Sequence, residues 1–313
     1  MSIFSKISNP NFPKTAIGLD KNRITVVGLR KEGRQFAIKQ ASTVEIPDGI
    51  LRLGFSESNI LNFDSLAGYL SEAVDAADLR GNKRWSISLP GASARSGILT
   101  LDTKPASKSE LDEVLKWKAE RSFGNASGEM RISYLPLLPD ETGKARYFAA
   151  AIRYNVLDEY ESLFSALGWT VGLILPRPVA ETRWLESAGK NLDALLLSSQ
   201  DDGFNAVLVH RGEPGVMRSI TCTADERDDE IFRLLMFYRD RLAKEQTGNL
   251  LGRLLVIGKD FNLKKLSEIG QETLGQAMSF LRPEEVGLEL PVGTHIGFEE
   301  VAAPAGLASL SWA

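Results

Sequence analysis

The stretch Thr15–Arg30, TAIGLDKNRITVVGLR, indicates the first secondary structure elements of the chain. Two apolar runs, Ala16–Leu19 and Ile24–Val27, flank the polar residues Asp20-Lys21-Asn22-Arg23. Apolar runs with β-branched residues on both sides of a short polar turn predict a β-hairpin. Gln35–Ile46 has the same character, so the chain is predicted to open with a hairpin followed by a third strand.

Composition limits the classes of protein to which the chain can belong. It has 313 residues, 43% apolar and 25% charged, which is ordinary globular composition and enough for two domains. The net charge of -4 gives no sign of a nucleic-acid partner. The single cysteine, Cys222, excludes an intrachain disulfide and fits a reducing compartment. His210 and His295 are too few for a histidine-based metal site, so no metal is predicted.

The chain carries no targeting or membrane-spanning pattern. Residues 1–14, MSIFSKISNPNFPK, contain no apolar run of the length that a secretory signal needs. No window approaches the roughly 18 apolar residues of a membrane-spanning helix. We therefore expect a cytoplasmic protein that reaches a membrane only through a partner.

Strands and helices alternate in both halves of the chain. In the first half, an amphipathic helix is predicted at Phe63–Ala77, followed by the strand RWSISLP, Arg84–Pro90. The second half begins again with a hairpin, whose first strand is LDALLLSS, Leu192–Ser199. The last segment, FEEVAAPAGLASLSW, predicts a helix interrupted at Pro304. This order of elements predicts an α/β duplication.

Several segments, in their order and spacing, resemble the PilM family, the actin-like proteins of the type IV pilus inner-membrane platform. FtsA and the cytoplasmic part of GspL are relatives of that family. The segments are AIGLD with ITVVGL, ISLPGASARSGILTLD, ELDEVLKWKAER, DEYESLFSALGWTVGLILPRPVA, DDEIFRLLMFYRD and AAPAGLASLSW. The resemblance implies an actin-like ATPase fold, a duplicated ribonuclease H-like α/β fold with an inserted small subdomain. It implies a first domain of residues 14–90 with 177–190, an insert of 91–176 and a second domain of 191–313.

The nucleotide motifs that this resemblance implies are incomplete. Actin-like ATPases hold Mg²⁺ and phosphate with a carboxylate and small residues of the first hairpin, because a Cβ would block the phosphate. Asp20 is present, but the turn DKNR has no glycine. Lys21 and Arg23 could attract an anion, but a solvated hairpin tip is the favoured interpretation of these residues. Gly258 stands where the family has two glycines, and Lys259 replaces the second.

We therefore predict no catalytic residue and no cofactor, with Asp20, Lys21, Arg23 and Gly258 as the remains of a nucleotide cleft. The second hairpin supports this view, because its QDDG turn holds its acids at the tip, where turns favour them. The alternative is an active actin-like ATPase or sugar-kinase-like enzyme that uses ATP with Mg²⁺ through a non-standard phosphate loop. An FtsA-like filament former is a third possibility.

The resemblance also implies a peptide partner. PilM proteins bind the cytoplasmic N-terminal tail of PilN, a single-pass membrane protein, in a groove between the first domain and its insert. By resemblance, the groove residues are Trp85, Ile87, Leu89, Ile98, Leu99 and Trp117. Ordinary packing is the alternative for the tryptophans. The expected role is a non-catalytic scaffold of a type IV pilus or type II secretion-like platform, peripheral to the inner membrane, with a homo-oligomer left open.

Overall fold

The computed structural model describes residues 12–103, 105–124, 126–140, 142–187, 193–210, 212–241, 251–291, 293 and 295–312. The chain divides into two compact units, Met1–Glu181 with Glu289–Ala313, and Thr182–Leu288. The C-terminal segment therefore belongs with the first unit, whereas the sequence prediction placed it in the second domain. In the described part of the chain, no helix is long and apolar enough to cross a membrane.

Strands and helices alternate through the first unit. Its elements up to Glu181 are β1 (Thr15–Asp20), β2 (Arg23–Glu32), β3 (Gln35–Glu45), α1 (Phe63–Ala76), β4 (Arg84–Leu89), β5 (Arg95–Leu101), α2 (Lys108–Phe123), β6 (Met130–Leu137), β7 (Ala145–Arg153), α3 (Tyr154–Ala166), β8 (Thr170–Pro176) and α4 (Arg177–Glu181). The remaining elements are α5 (Arg183–Ser187), β9 (Ala194–Gln200), β10 (Gly203–His210), β11 (Glu213–Thr221), α6 (Arg227–Arg241), β12 (Arg253–Ile257), α7 (Leu263–Leu274), β13 (Ser279–Phe280), β14 (Leu288–Glu289) and α8 (Phe298–Ser309).

The main sheet of the first unit has six strands in the order β14-β3-β2-β1-β4-β8. The predicted opening hairpin is confirmed, because β1 pairs antiparallel with β2 and Asp20 lies opposite Arg23. Strands β4 and β8 run parallel to β1. Apolar side chains from α1 and α3, among them Leu66, Leu70 and Tyr160, form one core with those of the sheet. Asn62 caps α1 by accepting a hydrogen bond from the Ser65 N–H.

The inserted subdomain is an antiparallel three-stranded sheet in the order β5-β7-β6. One face packs against α2, where Leu99 and Ala149 meet Leu115 and Ala119 in a separate core. This compact insert ends at β7, earlier than the predicted boundary at residue 176. The reason is that α3 contributes buried residues to the core of the main sheet and β8 pairs with β4.

Helix α8 packs on β1 and β2 of the main sheet, which explains why the C-terminus belongs to the first unit. The sequence predicted a helix interrupted at Pro304, but α8 is continuous from Phe298 to Ser309. The Pro304 ring lies against Gly18, where an added Cβ would be 3.1 Å from the proline Cδ. The absent side chain at Gly18 thus allows a buried helix to approach the strand closely.

The second unit has a five-stranded sheet in the order β11-β10-β9-β12-β13. Its predicted hairpin is confirmed as β9 and β10, with β9 beginning at Ala194, while Leu192 lies outside the described residues. Strand β12 runs parallel to β9. Helices α6 and α7 bury Leu234, Leu235 and Leu266 against the sheet, so this unit has its own core.

Candidate functional site

The first hairpin ends in a network of ion pairs. The Asp20 carboxylate pairs with the Arg177 guanidinium, and Arg23 lies 3.7 Å from the same carboxylate oxygen. Arg23 also lies 3.3 Å from the carboxylate of Glu300 at the start of α8. Lys21 and Asn22 form the exposed turn. Of the predicted remnants in this hairpin, Asp20 and Arg23 are partly exposed and form ion pairs with other side chains, and Lys21 is exposed.

Arg177 is the centre of this network. It begins α4, directly after β8, and its Nε lies 2.8 Å from Oε1 of Glu181, one turn later. Its guanidinium also donates a hydrogen bond of 3.3 Å to the Glu299 carbonyl. Burial opposes its charged form, but the carboxylates of Glu181 and Asp20 outweigh that effect and raise the pKa of Arg177. Arg177 therefore stays charged and supplies the positive charge that Asp20 needs.

Little space remains around Asp20 within the first unit. The cavity bounded by Asp20, Thr25, Ser88, Arg177 and Pro304 has a volume of about 10 Å³. That volume holds about one water molecule. This cavity is too small for a phosphate group, and its lining includes Arg177 and residues Glu299 and Glu300 of α8.

Gly258 has a structural role in the second unit. It follows β12 with φ of 135°, a conformation that side chains rarely adopt. An added Cβ would lie 2.5 Å from the Cβ of Ser199 on β9. The close packing of Ser199 against this position explains why residue 258 is a glycine, and this explanation does not require a nucleotide.

The polar groups beside Gly258 bond to one another. Ser199 donates a hydrogen bond to Asp260, whose carboxylate lies 3.3 Å from Arg227. Arg227 also donates a 2.8 Å hydrogen bond to the Asp260 carbonyl. Among the described residues, no group of three or more histidine, cysteine, aspartate or glutamate side chains could hold a metal ion.

A second and much larger cavity, of about 540 Å³, lies within the first unit between its two sheets. One wall is the face of the insert that points away from α2 and carries Ser133, Leu135, Phe148 and Ala150. The other wall is β8, from Val171 to Pro176. We call this cavity the insert groove.

The insert groove runs along two sheet edges. Among the described strands, β8 is the outermost of the main sheet and β6 is the outermost of the insert sheet on this side. Every residue of β8 from Val171 to Pro176 lines the groove. An edge strand presents backbone N–H and C=O groups that can pair with another extended chain. The lining is mainly apolar, with Arg131 and Glu161 as its charged members.

The order and shape of the elements match solved structures. A chain of a PilM–PilN type IV pilus biogenesis complex is 18% identical, with 96% of this chain and 99% of that chain covered and a TM-score of 0.75. The fold is the actin-like ATPase fold. A Bacteroides thetaiotaomicron protein of actin-like ATPase fold is 12% identical, with 94% of both chains covered and a TM-score of 0.50. The predicted fold class is thereby confirmed. No protein-family model and no curated protein sequence matches the chain.

In this actin-like fold, the predicted partner residues occupy different places. Leu89 lines the insert groove. The prediction also placed Trp85 and Ile87 there, but both are fully buried in the core of the main sheet, because their side chains pack beneath it with α3. Neither can contact a bound peptide without unfolding of that core.

The three predicted residues of the insert lie apart from one another. Ile98 pairs with Phe148, so it lies on the groove-facing side of the sheet, whereas Leu99 is in the α2-facing core. Trp117 is half-exposed on α2, with Arg121 4.9 Å over its ring, and it is not among the groove residues. The groove assignment itself stays a prediction.

Sequence reasoning did not place β6 and β8 at the groove, although they contribute most of its wall. The segments EMRISYLPL and TVGLILPRP do have the apolar and β-branched character of strands. The alternation of the polar residues Arg131 and Ser133 with Ile132 and Tyr134 indicates a strand with two different faces. Sequence alone does not show that these two strands are edges of separate sheets, since that depends on non-local pairing.

Proposed function

We propose that the protein is a non-catalytic scaffold of a type IV pilus or type II secretion-like assembly platform. In this proposal, it binds the N-terminal tail of a PilN-like membrane protein in the insert groove. The observation that carries the proposal is the apolar groove bounded by β6 and β8, which are edge strands among the residues that the structure describes. The likeness to a chain from a PilM–PilN complex supports it at the level of fold. The protein would then be located at the inner membrane through this partner.

The geometry of the groove favours an extended segment. Residues Val171–Pro176 span about 17 Å at the ~3.3 Å rise of a strand, enough to pair with five or six peptide residues. Main-chain hydrogen bonds to the β8 edge would provide affinity, as in other cases of strand addition. Alternate side chains would pack on Leu135 and Phe148, and Arg131 and Glu161 would select for charge.

A peptide-binding assay tests this proposal. A labelled synthetic peptide of a PilN-like N-terminal tail is titrated with wild type, Ala150→Trp and Trp117→Ala. Ala150 is on the groove wall, so an indole there should fill the cavity and weaken binding at least about tenfold, or about 1.4 kcal/mol. Trp117 lies outside the groove and should leave binding unchanged. Loss of binding in Trp117→Ala with none in Ala150→Trp would refute the groove.

We further propose that the first hairpin does not use nucleotide, and that neither ATP nor Mg²⁺ is a cofactor. The support is the engagement of Asp20 by Arg177 and the volume of about 10 Å³ beside it. Thermal unfolding with millimolar Mg-ATP tests this proposal, because a ligand at ~100 times its dissociation constant stabilises by ~2.7 kcal/mol. We expect an unchanged Tm; a rise that Asp20→Asn abolishes would favour the ATPase alternative.

A further inference from the structure

One end of the main sheet concentrates basic side chains. Parallel strands β1, β4 and β8 begin there, and the antiparallel β2–β3 turn projects from the same end. The register places Lys14 and Arg84 side by side, because Ala16 lies opposite Ser86. The basic residues at this end, which we call the basic edge, are Lys14, Arg30, Lys31, Arg34, Arg80, Lys83 and Arg84.

Most of this positive charge is not neutralised. Arg30 pairs with Glu32, and Arg80 lies 2.7 Å from Asp75. The exposed basic residues with no ion-pair partner among the described residues are Lys14, Lys31, Arg34, Lys83 and Arg84. The exposed carboxylates in the same segments are Glu32 and Asp75, which form these pairs, and Asp78, whose backbone accepts a hydrogen bond from Gln40. The basic edge is therefore strongly positive on a chain whose net charge is -4.

A tryptophan borders the basic edge. The Lys14 ammonium lies 5.2 Å from the ring centroid of Trp312, and the Phe36 ring lies 5.7 Å from the same indole. Trp312 is partly exposed, while Phe36 is buried at the start of β3. An indole between an apolar core and a cationic surface is the arrangement found where proteins meet the headgroup region of membranes.

We propose that the basic edge binds the surface of a membrane that contains anionic lipids. The cations are spread along neighbouring strands, which lie about 4.8 Å apart, so together they suit a planar array of charges better than one small anion. Neither the insert groove nor the cavity beside Asp20 includes any of them. Charge complementarity and the bordering Trp312 favour a lipid surface over an acidic protein. The inference is independent of peptide binding in the insert groove.

Vesicle co-sedimentation tests the proposal without any partner protein. Full-length protein is mixed with vesicles of phosphatidylcholine alone, or with one quarter phosphatidylglycerol, at low and high salt. We expect binding only to the anionic vesicles and only at low salt. Each Lys or Arg near an anionic membrane contributes about 1 kcal/mol, or about fivefold in partitioning. Lys31→Glu/Arg34→Glu/Lys83→Glu should therefore weaken binding at least about hundredfold.

A matched control variant distinguishes an effect of the basic edge from an effect of the total charge of the protein. Lys108→Glu/Lys116→Glu/Lys264→Glu changes the total charge equally at exposed positions outside the basic edge and should keep near wild-type binding. Circular dichroism melting verifies that both triple variants are folded. The proposal is overturned if wild type does not bind anionic vesicles at low salt, or if both triple variants lose binding equally. It is also overturned if soluble polyglutamate is bound and the vesicles are not.

Discussion

Replacement of Arg177 by methionine tests the charge network of the first hairpin. The substitution keeps an apolar stem of similar length but removes the cation between Asp20 and Glu181. Arg177 is mostly buried and Glu181 is fully buried, so the Glu181 carboxylate would lose the guanidinium nitrogen that lies 2.8 Å from it in a site with little water. Breaking a buried ion pair in this way costs about 3–5 kcal/mol.

The loss of stability expected for Arg177→Met lies at the low end of that range. Asp20 is partly exposed and keeps Arg23 at 3.7 Å, so most of the cost comes from Glu181. We expect Arg177→Met to lower the free energy of unfolding by about 3 kcal/mol. For a unit of this size, that corresponds to a fall in Tm of about 6–12 °C.

Urea unfolding monitored by circular dichroism measures this effect, with Glu181→Met and the double variant completing a cycle. Because the double variant removes both charges, it should be more stable than Arg177→Met alone. A cost below about 1 kcal/mol for Arg177→Met, or strict additivity in the cycle, would refute the reasoning.

Two further predictions concern other parts of the fold. Gly258→Ala should lower the free energy of unfolding by at least about 1–3 kcal/mol, because the added Cβ would clash with Ser199 at an unfavourable φ. Urea unfolding measures this change, and an unchanged free energy of unfolding would contradict the prediction. Burial raises the pKa of Glu159, although its carboxylate accepts hydrogen bonds from the Asn59 and Ile60 N–H groups. Its contribution to stability is therefore full below its ordinary pKa of 4.5 and falls as pH rises through the folded-state value. The stability of wild type relative to Glu159→Gln should fall as the pH rises above 4.5, and a rise in relative stability would contradict this.

The local order of the fold was largely predictable from sequence. The hairpin at Asp20 and the restart of the pattern near Ala194 follow from periodicity and turn residues, which act over a few residues. Features that depend on distant pairing were not predictable. The C-terminal helix packs on β1, and the insert ends before α3, because of contacts between segments far apart in the chain.

Some features of the candidate site were likewise predictable from the sequence, and others were not. The lack of glycine in the DKNR turn was visible in the sequence and indicated a hairpin unsuited to phosphate. The engagement of Asp20 by Arg177 was not visible, because 157 positions separate the two residues. Trp85 was predicted in the groove because it follows the family pattern, yet its place on a central strand buries it. An alternating pattern alone does not distinguish a groove-facing residue from a core residue.

Calorimetric titration of nucleotide-free protein with the PilN-like N-terminal peptide tests the central claim most directly. The account predicts saturable 1:1 binding in the absence of nucleotide, with the same affinity when millimolar Mg-ATP is present. That result would fit a scaffold whose first hairpin is closed by Arg177. Peptide binding that occurs only with Mg-ATP would contradict the account, since it would require a working nucleotide site.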